Sequence, residues 1–260
     1  HINWIDRRVS EISTAARQYL LAFADDEHLM GQRHTEWIGV APFLEEDLAF
    51  ASIGQDELGH AADLYALLVG DDDDAIDRLA FRRPAEEYRS CWLVEYETND
   101  WAETMIRHWF YDAAERLRWQ LLAGSCLQAA ADLVNRAERE ESYHRRHADG
   151  LLDVLLAVDE SRRRIEYAVS TMYPLALGLF DPVDGEAELV ADGFIDAAWS
   201  GQLDRWREQA AERFPGVDLA ALDQGSVTVD QGHRRNRHPD FEVVYGRIRE
   251  VVRHDPRAVW

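Results

Sequence analysis

The chain of 260 residues contains no lysine, so all 28 of its basic residues are arginines. Aspartate and glutamate together number 50, which gives a formal net charge of −22 at pH 7. This charge excludes a protein that binds nucleic acid or an anionic membrane through its overall field. We attribute the excess of acid to a halophilic source. A GC-rich genome, which also replaces lysine by arginine, remains the alternative.

Cysteine and long apolar runs are also scarce. The two cysteines, Cys91 and Cys126, form neither a disulfide framework nor a zinc-binding pattern, so a reducing cytoplasm is the expected location. No apolar run approaches the roughly 18 residues that span a bilayer, which predicts no membrane segment. The opening residues lack the charged and apolar regions of a signal peptide.

The low content of glycine (15) and proline (7) leaves long stretches free for helices. Apolar residues recur at helical spacing and predict two hairpins of helices, over 9–37 with 43–68 and over 101–123 with 126–158. Because the connections are short, the two helices of each hairpin are antiparallel and the four form a bundle.

The rest of the chain is predicted to form shorter helices. A fifth helix extends to Gly178, further helices to about Phe214, and a last one from Phe241 to Arg253, with an irregular stretch over 216–239. Only Ser226–Val229 alternates as a strand does, and it is too short to matter. We predict one all-α domain over 1–260, with the bundle over about 9–158 and additional C-terminal helices over about 159–260.

Two Glu-x-x-His motifs occupy the second and fourth predicted helices, Glu57 with His60 and Glu141 with His144. Residues three apart lie on the same side of a helix, so both side chains can approach one metal ion. Taken singly, each motif is ordinarily explained by solvated side chains on an acidic helix. Support for a site therefore depends on what accompanies the motifs.

A carboxylate lies at a matching distance before each motif, on the preceding helix. Glu27 is 30 residues before Glu57, and Asp112 is 29 residues before Glu141. If each hairpin turns near its middle, these carboxylates return to the level of the motifs. Four carboxylates and two imidazoles from four helices are the ligand set of a di-iron or di-manganese centre that leaves positions open for O₂. Glu115, one turn beyond Asp112, and Glu103, nearer the start of the helix, remain alternatives to it.

Other polar residues are placed to support such a centre. Asp56 and Glu140 directly precede the motif glutamates, and each can reach the outer ring nitrogen of the opposite histidine to fix its tautomer. His147, one turn beyond His144, is either a further donor of this kind or a surface histidine. Burying four carboxylates without a metal would cost several kcal/mol each, so the six positions together favour metal binding.

The residues around the motifs resemble a known family, the bacterial phenylacetyl-CoA epoxidases. Four stretches are similar to the catalytic A subunit: Glu36-Trp37-Ile38, Ala41-Pro42, Gln55–His60 and Glu140–His144. By this resemblance the first-helix glutamate of that subunit corresponds to Glu27 and its third-helix aspartate to Asp112.

Other stretches are more similar to the C subunit, the non-catalytic structural partner in the same complex: Gly31–Arg33, Leu44–Asp47, Leu79–Arg82, Glu87–Arg89, Leu93–Glu95 and Asp100–Met105. The structural subunits have lost the ligand set, whereas this chain keeps all six positions. We therefore interpret it as a metal-loaded member with a C-like body, which works as a homo-oligomer or with related subunits.

The resemblance implies a ferritin-like fold and an O₂-dependent epoxidation or hydroxylation of an aromatic ring carried as a coenzyme A thioester. Two iron ions, or manganese, would be held by the six positions, and a separate flavin and iron–sulfur reductase would supply electrons. Aromatic residues near the ligands line a substrate pocket or belong to the core: Trp109, Phe110, Tyr111 and Tyr143. Two basic stretches hold coenzyme A phosphates or pair with nearby acids: Arg162–Arg164 and His233–His238.

Two other functions remain open at the level of the sequence. One is a non-catalytic structural subunit of a multicomponent oxygenase. The other is a different ferritin-like activity, such as peroxide scavenging, iron handling or radical generation. Radical generation would need a tyrosine close to the metals, for which Tyr65 and Tyr111 are the candidates.

Overall fold

A computed structural model describes residues 12–225 and 232–256, and these residues form helices and no β-strand. The α-helices are, in chain order, α1 (Thr14–Thr35), α2 (Leu44–Val69), α3 (Asp73–Asp77), α4 (Trp92–Glu95), α5 (Trp101–Leu122), α6 (Gln128–Leu156), α7 (Asp159–Leu177), α8 (Glu186–Ala191), α9 (Leu203–Arg213), α10 (Leu219–Gly225), α11 (Phe241–Ile248) and α12 (Glu250–His254). Helices α1, α2, α5 and α6 form the bundle, in which α1 packs along α2, α5 along α6, and α2 against α6. The predicted all-α, ferritin-like four-helix bundle with additional C-terminal helices is confirmed.

Local hydrogen bonds explain where the bundle helices begin and end. The Ser13 hydroxyl accepts from the Ala16 N–H at the start of α1, and the Asp100 carboxylate accepts from the Glu103 N–H at the start of α5. In the first hairpin, one oxygen of Asp47 accepts from the N–H groups of Gly39 and Ala41, which closes the turn. Helix α2 ends at Val69, and the next residue is Gly70, whose φ of 84° a residue with a side chain rarely adopts.

Two predictions about the C-terminal part are wrong. The stretch predicted to be irregular contains α10, whose first turn is held by the Asp218 carboxylate accepting from the Ala221 N–H. The last predicted helix is divided into α11 and α12, because Arg249 leaves helical geometry with φ −99° and ψ 5°. The predicted strand-like stretch 226–229 and the predicted helix start over 9–11 lie outside the described residues.

The C-terminal helices close over the bundle. Helix α7 packs against α5 and α6, and the Trp206 indole of α9 donates to the Phe110 carbonyl oxygen at 3.0 Å. Arg234 is fully buried and donates to the Asp26 carboxylate of α1 at 2.6 Å. The expectation of a single domain over 1–260 remains a prediction.

Glycines bring α1 and α2 close together beside Glu57. A Cβ atom placed on Gly31 would lie 2.9 Å from the Gly54 carbonyl oxygen and 3.1 Å from the Glu57 Cβ atom. The helix backbones can approach this closely because both positions are glycines, which have no side chain. The close approach holds Glu57 against α1. Within the described ranges, no helix combines the length and the apolar character needed to cross a membrane.

Candidate metal centre

Seven ionisable side chains from the four bundle helices meet in the interior of the protein. They are Glu27 from α1, Glu57 and His60 from α2, Asp112 and Glu115 from α5, and Glu141 and His144 from α6. None of them is more than 2% exposed. We call this set the carboxylate–histidine cluster. It contains all six residues predicted as ligands, together with Glu115, one of the two predicted alternatives to Asp112. The other alternative, Glu103, lies at the start of α5, where its carboxylate accepts from the Asn99 N–H.

Glu115 lies at the middle of the carboxylate–histidine cluster. It shares one compact group of donor atoms with Glu27 and His60 and a second with Glu57 and Asp112, and in each group the donor atoms lie within 4.8 Å of one another. The His60 Nδ1 atom is 3.3 Å from Glu27 Oε2 and 3.4 Å from Glu115 Oε1. The structure therefore places Glu115 in the cluster alongside Asp112, and the two are not alternatives.

Helix α6 completes the carboxylate–histidine cluster. Glu141 Oε1 lies 3.0 Å from His144 Nδ1 and 3.8 Å from His60 Nδ1. Both histidines thus direct Nδ1 toward the carboxylates. The opposite nitrogen of each ring faces outward, where the fixed charges of neighbouring helices can act on it.

The two acids that precede the motif glutamates pair with these outward nitrogens across the bundle. His60 Nε2 lies 2.8 Å from Glu140 Oε2, and His144 Nε2 lies 3.2 Å from Asp56 Oδ2. A carboxylate at Nε2 favours the tautomer that carries its proton there and leaves Nδ1 with a free lone pair. Both rings are thereby prepared to act as metal ligands through Nδ1.

Many donor atoms of the carboxylate–histidine cluster lack a hydrogen-bond partner. Among the described residues these include both carboxylate oxygens of Glu57, Asp112 and Glu141, one oxygen of Glu115 and Nδ1 of His144. Native proteins rarely leave buried polar atoms without partners, because each costs roughly 1–3 kcal/mol, and more when charged. Carboxylate and imidazole donors suit divalent iron or manganese, so these residues fit a metal centre.

The protonation equilibria show how unfavourable the carboxylate–histidine cluster is without cations. Burial, followed by the charge of Glu115, raises the pKa of Glu27 to about 8 and raises the pKa values of Glu57 and Glu141 well above the usual range. Burial also raises the pKa of Asp112. Burial is the largest influence on both His60 and Glu115 and opposes their charge, but their mutual hydrogen bond and the other hydrogen bonds and charges around them together outweigh it, which raises the pKa of His60 and lowers that of Glu115. Bound cations would replace the protons that these values require.

Two aromatic donors orient carboxylates of the cluster. The Tyr111 hydroxyl donates to Glu27 Oε1 at 2.6 Å, and the Trp119 indole donates to Glu115 Oε1 at 2.7 Å. Of the two tyrosines considered for a radical, Tyr111 therefore contacts a candidate ligand. Tyr65 instead donates to Asp25, in a neighbouring network with Arg83.

A chain of histidines that the sequence interpretation largely missed leads from Asp112 toward the surface. His108 Nδ1 is 3.2 Å from Asp112 Oδ1, and His147 lies between His108 Nε2, at 3.5 Å, and Glu46, at 2.9 Å. His147 thus reaches the cluster only through His108. The fully buried His34 lies 3.8 Å from Glu57 Oε1. Both missed residues were recognisable by spacing, since His34 is seven residues after Glu27 and His108 is four before Asp112 on the same helix faces.

Three of the four aromatic residues considered for a substrate pocket lie elsewhere. Phe110 packs against Trp206 and Phe214, and Trp109 packs against Phe214, so both belong to the core beneath α9. Tyr143 is 42% exposed. Consecutive residues of a helix point to different faces, so Trp109, Phe110 and Tyr111 cannot all face the cluster, and the sequence alone does not show which of them does.

Both basic stretches considered for coenzyme A phosphates are neutralised by acids. This agrees with the alternative given above, that they pair with nearby acidic residues. Arg234 pairs with Asp26, Arg235 with Asp184 and Arg237 with Glu95. In the other stretch, Arg162 pairs with Asp159, and Arg163 and Arg164 pair with Glu160. Neither stretch offers a run of free guanidinium groups.

Comparison with known proteins agrees with the family resemblance seen in the sequence. The sequence profile of the family described as phenylacetic acid catabolic protein matches residues 3–260. The chain is also 31% identical over 226 residues to the C subunit of the 1,2-phenylacetyl-CoA epoxidase of Escherichia coli (strain K12), a match that covers 83% of this chain and 85% of the relative. The chain belongs to the phenylacetic acid catabolic protein family.

Proposed function

We propose that this chain is a metal-loaded member of its family and uses O₂ to epoxidise or hydroxylate an aromatic ring carried as a coenzyme A thioester. The observation that supports this proposal is the carboxylate–histidine cluster, in which most carboxylate oxygens are buried close to one another and have no hydrogen-bond partner among the described residues. A purely structural subunit has no need to bury five carboxylates at one point, because they oppose folding unless cations compensate them.

Each residue of the cluster would have a specific role in holding the metal ions. Glu27, His60 and Glu115 would hold one metal ion, and Glu57, Asp112, Glu141 and His144 the other, with Glu115 shared between them. Two iron ions, or manganese, would supply the electron transfer that O₂ activation requires. Asp56 and Glu140 would hold the two imidazoles in the binding tautomer, and Tyr111 would fix the orientation of Glu27. Electrons would come from a separate flavin and iron–sulfur reductase.

A structural subunit without metal is the second candidate function. It is favoured by the relative, whose name designates the C subunit of a phenylacetyl-CoA epoxidase. This candidate predicts a stable complex with a related subunit that carries the chemistry, and it predicts no metal in the carboxylate–histidine cluster.

Elemental analysis separates the two candidates. Protein purified from its own host is compared with the Glu57→Ala, Glu141→Ala double variant. Our proposal predicts about two iron or manganese ions per chain in the parent and almost none in the variant, together with oxidation of phenylacetyl-CoA when a reductase and O₂ are supplied. Absence of metal from both proteins would favour the structural role.

A further inference from the structure

A pocket of about 220 Å³ lies between α5 and α6 on the outside of the bundle. Its lining consists of Arg116, Trp119, Gln120, Glu138, Glu141 and Arg145. We call it the arginine pocket. Its volume corresponds to roughly seven water molecules, which is enough for a phosphate ion or a carboxylate with a few carbon atoms.

The arginines of this pocket differ from most others in the protein. Arg116 and Arg145 are half-buried, and among the described residues neither has a carboxylate within ion-pair distance. Arg145 uses only its Nε–H, which donates to the Glu141 carbonyl oxygen. Arg116 is close enough to be repelled by Arg145 and by Arg205, a third positive charge, and the attraction of Glu138 offsets part of this repulsion. In a chain of net charge −22, unpaired guanidinium groups gathered at a concave site form a local field that attracts anions.

The inner end of the arginine pocket touches the carboxylate–histidine cluster. Glu141 belongs to both. Trp119 forms part of the wall, and its indole donates to Glu115. A molecule held by the two guanidinium groups at the outer end would therefore have its other end beside Glu141.

We propose that the arginine pocket binds the anionic end, a phosphate or a carboxylate group, of a small molecule whose remaining part reaches Glu141. Arg116 and Arg145 donate charge-assisted hydrogen bonds to the anion, and the Gln120 amide is available as a further donor. Glu138 at the rim opposes binding. The site does not require the proposed metal centre, because its donors are side chains that are present without metal.

Binding of inorganic phosphate and of acetate to the metal-free protein tests this proposal by calorimetry at constant ionic strength, with chloride as the reference anion. We expect at least one of the two anions to bind, and their relative affinities identify the preferred group. Arg116→Gln and Arg145→Gln should each weaken binding at least about tenfold, which is the effect of losing one charge-assisted hydrogen bond. Glu138→Gln should strengthen it, because the opposing charge is removed.

Arg146→Gln is the matched control, since it removes the same charge from an exposed neighbouring position on α6. Binding in this variant should change by less than about twofold. Failure of both anions to bind the parent would overturn the proposal, and so would equal losses in Arg146→Gln and Arg145→Gln, which would indicate a diffuse field. Anion binding that appears only after Mn²⁺ is added and is insensitive to Arg116→Gln would also contradict it. Because the assay uses metal-free protein, its result is independent of whether the proposed oxygenase function is correct.

Discussion

Trp119 donates its indole N–H at 2.7 Å to Oε1 of Glu115, which lies one turn earlier on the same helix. This contact fixes the carboxylate that belongs to both donor groups of the carboxylate–histidine cluster. It uses one oxygen of Glu115 and leaves the other without a partner among the described residues. The geometry is that of a carboxylate oriented for a metal by a neighbouring donor.

Trp119→Phe should weaken metal binding by roughly 10–100-fold, because Glu115 loses the donor that orients it. Titration of metal-free protein with Mn²⁺ measures the change. Trp206→Phe is the control, since it removes another buried indole whose N–H donates to the Phe110 carbonyl oxygen. Equal loss of affinity in the two variants would show that the effect is not specific to Glu115.

Asp56 and Glu140, the acids that pair with the outward ring nitrogens of the histidines, should affect metal affinity almost as strongly as the proposed ligands do. Asp56→Asn and Glu140→Gln should each reduce metal affinity by roughly 10–100-fold, because the amide no longer favours the proton on Nε2 of its histidine. Asp132→Asn, an exposed change on α6, should leave affinity unchanged. Unaltered affinity in both test variants would mean that the imidazoles do not bind metal through Nδ1.

The pair of Asp26 and Arg234 should hold the C-terminal part against the bundle. Arg234→Ala should lower the free energy of unfolding by about 3 kcal/mol, because the buried Asp26 loses one of its two arginine partners and keeps Arg118 and the Cys91 N–H. Arg235→Ala breaks an exposed pair with Asp184 and should cost less than about 1 kcal/mol. Urea unfolding of the three proteins provides the comparison, and similar losses in both variants would refute the assigned role.

The stability of the metal-free protein should fall as the pH rises between about 4.5 and 8. In this window Glu27, with a folded pKa of about 8 against a reference value of 4.5, is protonated in the folded protein and ionised in the unfolded chain. Unfolding therefore releases a proton, and stability decreases by up to about 1.4 kcal/mol per pH unit for this group. In Glu27→Gln, the midpoint temperature of thermal unfolding should fall less steeply between pH 5 and pH 8 than it does in the parent protein. An identical pH dependence in both proteins would contradict the raised pKa.

The sequence predicted those parts of the molecule that depend on periodicity. Glu57, His60, Glu141 and His144 could be recognised because residues three apart share a helix face, and Glu27 and Asp112 because antiparallel hairpins return to the same level. Those rules do not determine how far two helices rotate about their axes. For this reason Glu115 was predicted only as a substitute for Asp112, although α5 is rotated so that both side chains point into the carboxylate–histidine cluster.

Features that depend on contacts between distant segments were not predictable. Arg234 belongs to a basic stretch that has the composition of a surface patch, yet it is buried against Asp26, 208 residues away in the chain. The arginine pocket has no counterpart in the sequence pattern either. Arg116 and Arg145 lie on separate helices, and nothing in the sequence indicates that they lack acidic partners within the described part of the chain.

The most direct test of the account is anomalous X-ray scattering from crystals of the protein loaded with iron or manganese. We predict two anomalous peaks per chain, roughly 4 Å apart, one beside Glu27 and His60 and the other beside Glu57 and Asp112, with Glu115 between them. Crystals that contain the metal but show no peak among these side chains would contradict the central claim.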